Sequence, residues 1–246
     1  MSRWQHRALF FAFAAASFAL LAGAAALAAG LGHRFGLWDY RFGFALLRYA
    51  AWTGAAGALL SLVALVWTSV LRLRAAALAA AAGVVAGALA FGVPSMALKE
   101  ARRVPPIHDL STDTANPPAF VALLAVRQAA PNGADYAGET LAEQQRKGYP
   151  DIAPLAYAAP PPVAFERALA AARALGWTIV AAEPNALRIE ATDMTPFFGF
   201  KDDVVIRITP SGEASRIDLR SMSRVGRSDL GTNARRIRAF TREVAK

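Results

Sequence analysis

Cysteine is absent from the sequence. That excludes disulfides, thiolate catalysis, cysteine-ligated metals and a lipid-modified N-terminal cysteine. Histidine is nearly as scarce, since His6 and His33 sit in the apolar first half and only His108 remains beyond it. A lone His108-Asp109 pair falls short of the ligand clusters that metal hydrolases need, so neither a metal nor a cofactor is expected. No Gly-x-Ser-x-Gly elbow, phosphate-binding Gly-Lys loop or dinucleotide fingerprint occurs, and the common hydrolase, nucleotidase and dehydrogenase readings lose support. Acidic residues are missing from most of the first 98 positions, which hold Asp39 alone against seven arginines.

Long apolar runs fill that acid-poor half. Ala8 to Gly30, Tyr49 to Leu71 and Ala75 to Leu98 carry no charge. Each exceeds the roughly 20 residues that cross a bilayer core as a helix, and the charged face of a soluble helix is missing from all three. The reading is a membrane region over residues 1–98 with spans at about 8–30, 49–71 and 75–98. Between the first two spans, Phe35, Trp38, Tyr40, Phe42 and Phe44 alternate with Arg34, Arg41 and Arg48, which predicts a loop lying on the membrane surface.

The net charge of +9 resembles a nucleic-acid binder, but its distribution argues against one. Residues 99–246 carry 20 Lys and Arg against 17 Asp and Glu, and within them residues 216–246 hold nine basic groups and three acids. The basic charge is therefore local and suits a small anion or an acidic partner surface better than a polyanion.

Residues 99–118 read as a Pro-rich connector, and 119–246 as one α+β domain. Short helices are expected at 119–127 and 138–147. After Pro160-Pro161-Pro162, the residues Phe165, Ala168, Leu169, Ala172 and Leu175 share one face of a helix that Gly176 ends. Four strands follow in a meander, over 177–182, 187–192, 204–209 and 216–220, with Arg188, Glu190, Arg207, Arg216, Asp218 and Arg220 on a face expected to be wet. Helices at 163–175 and 229–245 cover the other face. In the closing helix Leu230, Ala234, Ile237, Phe240 and Val244 form the apolar arc, Ser228 is the expected N-cap and Asp229 sits in the first turn. Asn233 falls inside that arc and needs a hydrogen-bond partner there.

Several segments carry a family resemblance. Asn116-Pro-Pro-Ala-Phe120, Tyr149-Pro-Asp-Ile152, Arg188-Ile-Glu-Ala-Thr192, Gly199-Phe-Lys-Asp-Asp-Val-Val-Ile-Arg207 and Ser221-Met-Ser-Arg-Val-Gly-Arg-Ser-Asp-Leu-Gly-Thr-Asn233 resemble the bacterial and plastid domain-of-unknown-function family numbered 1499. The resemblance implies an α+β domain that is commonly exported or membrane-tethered, with no established reaction. Many relatives carry a Pro-Asn-Cys segment near the domain start, where this chain has Thr114-Ala-Asn-Pro-Pro118. Charge alone leaves the orientation open, and the resemblance favours an external C-terminal domain.

Three sets of residues are candidates for chemistry. Arg224, Arg227, the Ser228 hydroxyl and the amides of Asp229 and Leu230 form a possible anion site at a helix start. The alternative is that Arg224 or Arg227 pairs with Asp229, Asp202 or Asp203 to fix the turn. Asp193, Lys201, Asp202 and Asp203 flank the aromatic loop Pro196-Phe-Phe-Gly-Phe200 and offer acid/base groups, or merely turn acids. The loop itself either docks on lipid or the membrane helices, or packs inside the domain, and internal packing is the favoured expectation. Together these describe a multi-pass bacterial inner-membrane protein with a periplasmic domain that serves as a binding or assembly module. Its partners are the bilayer and an anionic small molecule, lipid headgroup or envelope protein, and not nucleic acid. The alternatives are a hydrolase using Asp202 or Asp203 near Arg224, and a structural subunit of an envelope complex.

Overall fold

A computed structural model describes residues 1–246. The chain forms two compact units, Met1–Glu100 with Pro196–Gly199, and Ala101–Thr195 with Phe200–Lys246.

The first unit is built on helices α1 (Arg3–Arg34), α2 (Tyr40–Val70) and α3 (Arg74–Ala101), all long and apolar enough to cross a membrane. At about 1.5 Å per residue, even 28 residues outreach a hydrocarbon core of about 30 Å. Packing follows residue size. Ala8, Ala12, Ala15, Ala19, Ala22, Ala26 and Ala29 step by four and three along one buried stripe of α1, while Phe10, Phe13, Leu20, Leu21 and Leu27 face outward. Lipid offers helices no hydrophobic reason to associate, so close approach of small residues supplies the contact. At Gly57 an added Cβ would stand 2.8 Å from the Ala19 Cα, and at Gly43 another would stand 2.6 Å from the Ala29 carbonyl oxygen.

The expected surface loop from Leu31 to Arg48 does not form. Instead α1 runs through Arg34, the Leu37 amide closes its end on the Gly32 carbonyl at 2.8 Å, and Asp39 caps α2 by accepting the Arg41 amide at 2.9 Å. Only residues 35–39 turn, and the aromatic rings project from helix ends, Tyr40 edge-on to Phe44 and Trp38 edge-on to Phe42. The segment Pro196–Gly199 also departs from expectation, because it packs on α1 and α2. Phe198 lies 4.8 Å from Phe44 between ring centroids, Phe197 fills the space left by Gly30, and Arg34 Nη1 donates to the Pro196 carbonyl at 2.7 Å. Glycine at positions 30 and 43 makes the room these rings use.

The second unit is α+β. Its antiparallel sheet runs β1 (Asp109–Ser111), β6 (Ala214–Ser223), β5 (Lys201–Ser211), β4 (Arg188–Met194), β3 (Thr178–Glu183), with β2 (Leu155–Tyr157) also paired to β6. Six strands thus replace the four read from the alternation, since β1 and β2 are three residues each and too short to show a period. The hairpin turn at Gly212 (φ 64) fixes the β5–β6 register, setting Arg207 opposite Asp218 and Asp203 opposite Met222.

Helices α6 (Pro161–Ala174) and α7 (Thr232–Val244) bury one sheet face through Phe165, Ala168, Leu169, Ile237, Phe240 and Val244 against Val204, Ile206, Ile208, Ile217 and Leu219. Proline is tolerated in the first turn of α6, where its missing N–H is not needed. Trp177 stacks on Phe240 at 5.6 Å. Two short helices, α4 (Leu124–Gln128) and α5 (Glu139–Gly148), belong to the chain that precedes β2.

The closing helix begins three residues later than expected. Leu230 (φ 54) and Gly231 (φ 77) are both left-handed, which no helix continues, so α7 starts at Thr232 and Leu230 lies exposed outside the apolar arc. Ser228 is not the N-cap; its hydroxyl accepts only the Leu230 amide at 3.3 Å.

Candidate functional site

The sheet face opposite α6 and α7 carries Arg188, Glu190 and Thr192 from β4, Asp203 and Arg207 from β5, and Arg216, Asp218 and Arg220 from β6. It was expected to be wet and is largely covered. Residues 112–136 cross it, with Phe120 and Leu123 packed on Val205 and Met222. Alternating charge reads like a solvent face because sequence shows which side a residue points to, and not what lies over it.

Each buried charge under this cover has partners. Asp109 takes a two-pronged contact from Arg220 at 2.9 and 2.8 Å, and the Arg220 guanidinium also lies over the Phe120 and Tyr136 rings. Glu190 accepts the amides of Val121, Ala122 and Leu123, all at 2.9 Å, which pins the cover to β4. Arg127, a residue the sequence reading passed over, is fully buried and donates to Met222 O at 3.1 Å and Asp203 at 3.4 Å. Burial pulls its guanidinium below the ordinary value, against the opposing pull of Asp203. Burial, then the charge of Asp109, pushes the Tyr136 hydroxyl up to about 12.

The residues singled out from sequence are dispersed. Arg224 is committed to Asp203, with Nε at 2.9 Å and Nη2 at 2.8 Å, while Arg227 is exposed. The Asp229 amide donates to Ile107 O at 3.0 Å, and its carboxylate accepts the Gly231 and Asn233 amides at 2.8 and 2.7 Å. The helix-start donors therefore already hold the chain's own acid, whose carboxyl burial pushes above the usual carboxylate range. Asp202 and Asp203 point to opposite sheet faces: Asp202 meets Arg236 at 2.6 Å, and Asp203 meets Arg127 and Arg224. Asp193 also pairs with Arg236, at 2.8 Å. Asn233, fully buried, accepts from the Ser221 hydroxyl at 2.7 Å and donates to His108 O at 3.0 Å and the Ser223 hydroxyl at 3.1 Å. No three His, Asp or Glu side chains gather as a metal would require.

What remains open is at the hairpin end of the charged face. Asp113, Asn116, Arg207, Thr209, Arg216 and Asp218 line an open depression of about 280 Å³. Arg207 Nη2 meets Asp113 at 2.9 Å and Asp218 at 3.0 Å. Arg216 reaches the same two acids, with Nη2 2.8 Å from Asp113 and Nε 3.0 Å from Asp218. Against this closed ring of charge, Arg207 Nη1, Arg216 Nη1, the Asn116 side-chain amide and the Thr209 hydroxyl make no hydrogen bond inside the protein. Sequence reading had missed the group. Asp113 lies in the stretch read only as a Pro-rich connector, and only the register set by the Gly212 turn brings Arg207 and Asp218 together.

The family model described as a protein of unknown function, DUF1499, matches residues 109–244, more than half of the chain, and the chain belongs to that family. No curated protein matches the sequence.

Proposed function

We propose that this DUF1499 protein is a multi-pass inner-membrane protein whose C-terminal domain, on the periplasmic side, binds a small anionic molecule. The observation that carries the reading is the depression at Arg207 and Arg216, where donors of both arginines, the Asn116 side-chain amide and the Thr209 hydroxyl line one open concavity without partners, whereas the unpartnered Nε and Nη2 of Arg127 are sealed under the cover. Guanidinium groups suit planar or tetrahedral oxyanions, which they contact through paired N–H donors. The anion site is thus proposed at Arg207 and Arg216, in preference to Arg224, Arg227, Ser228 and Asp229. Hydrolysis has less support, because Asp202 and Asp203 lie on opposite faces and Asp203 is held by two arginines. Assembly within an envelope complex is the second reading, favoured by Val121, Leu124 and Val126, which are apolar and exposed on the covering segment.

The test is thermal unfolding of the full chain in detergent with sulfate, phosphate or acetate, against chloride at equal ionic strength. Oxyanions raise the midpoint, and Arg216→Ala, at a half-exposed side chain, removes the rise without lowering the starting value by much. A headgroup ligand instead shows as stabilisation in nanodiscs of anionic lipid and none by free anions. A midpoint indifferent to every anion contradicts the proposal.

A further inference from the structure

The geometry points to a carboxylate as the group bound at Arg207 and Arg216, and to Asp113 as its resident stand-in. This rests on the anion-binding reading above and deepens it.

The two acids of the ring differ in kind. Asp218 belongs to β6, is 1% exposed, and also lies 3.4 Å from the Thr112 hydroxyl, so it is a fixed part of the sheet. Asp113 belongs to the connector outside any strand. Its Oδ2 bridges the two guanidinium groups at 2.9 and 2.8 Å, and its Oδ1 accepts the amides of Ala115 and Asn116 at 3.2 and 3.0 Å. One carboxylate thus occupies a slot between two guanidinium groups, on a turn whose start is tied to the Ser111 hydroxyl, which accepts the Asp113 amide at 3.2 Å and donates to the Asp113 carbonyl at 2.9 Å.

Withdrawing Asp113 leaves two guanidinium groups facing one carboxylate, an excess of one positive charge at a partly covered position. An incoming carboxylate carries the same charge, shape and acceptors as the group it replaces, so the exchange conserves both ion pairs. A phosphate dianion brings one charge more than the slot loses. The Asn116 side-chain amide and the Thr209 hydroxyl line the same depression, where the rest of such a ligand would extend, which selects an acid bearing further polar groups. Exchange also releases the turn at 113–116, so occupancy is read out in the connector.

Removal of the Asp113 side chain with external replacement tests this. In the full chain in detergent, Asp113→Gly lowers the unfolding midpoint by about 4 °C or more. Formate or acetate then restores most of that loss, well beyond chloride at equal ionic strength and well beyond their effect on the unsubstituted chain. If Asp113→Gly does not fold, Asp113→Ser retains a turn acceptor while vacating the slot, and the same comparison applies. Rescue no better than chloride overturns the inference, and so does phosphate rescue equal to that by acetate. Loss of carboxylate rescue alongside an Arg216-dependent oxyanion shift in the unsubstituted chain overturns this inference alone; absence of that shift counts against the anion reading itself.

Discussion

Arg224 forks onto Asp203, its Nε and Nη2 standing 2.9 and 2.8 Å from the two carboxylate oxygens. Arg127 approaches the same acid from the covering segment, and the Thr192 hydroxyl donates to it at 2.8 Å. An acid so enclosed is a structural keystone between β5 and the chain that crosses it.

Asp203→Asn is therefore expected to unfold the domain more easily, by about 3 to 5 kcal/mol, since it strands a fully buried Arg127 without its counter-charge. Chemical denaturation of the full chain measures this. A stable Asp203→Asn protein that has lost a turnover activity would support the hydrolase reading in its place.

Glu190 makes a second such anchor through three amide hydrogen bonds. In Glu190→Gln one acceptor oxygen becomes a donor facing an amide, at a cost of about 1 to 3 kcal/mol. The loss appears first as faster amide hydrogen exchange at residues 121–128, while α6 and α7 stay protected. Uniform exchange across the domain would mean that the cover is not separately held.

Tyr149 gives the pH dependence. Its hydroxyl is buried without a partner, and burial, then the charge of Asp229, pushes it up to about 12. A folded value above the unfolded one of 10.0 means that the fold's advantage is intact below pH 10 and falls as pH rises toward 12. Tyr149→Phe loses no hydrogen bond, so stability at neutral pH is unchanged or improved, and alkaline unfolding moves to higher pH. An unchanged alkaline midpoint contradicts this.

Packing of the membrane helices is tested by paired glycine substitutions. Gly57→Val drives a side chain into the Ala19 backbone, whereas an added Cβ at Gly92 meets nothing within 4 Å. The first is expected to lower the thermal stability of the helical unit by several degrees and Gly92→Val to leave it unchanged. Equal effects would mean that α1 and α2 are not closely packed at Gly57.

Elements whose polar and apolar residues alternate with a period were legible in the sequence. α6 follows from Phe165, Ala168, Leu169 and Ala172, and the β5–β6 hairpin from the alternation broken at Gly212. What lay hidden depends on partners distant in the chain. Nothing local distinguishes Arg207, paired with Asp113 and Asp218, from an arginine in water. Leu230 fits a helical arc perfectly well, and its left-handed backbone is set by Asp229 capping the helix beyond it. Phe197 and Phe198 were readable as a sticky loop, but their partners depend on room left by Gly30 and Gly43 in another part of the chain.

We place the proposed anion site at Arg207 and Arg216 and not at the turn before α7. Amide chemical-shift mapping of the full chain in detergent during an acetate titration tests it most directly. Saturable shifts are expected, concentrated at residues 113–116, 207–209 and 216–218, and lost in Arg216→Ala. Shifts centred on residues 224–230, or none that saturate, would contradict it.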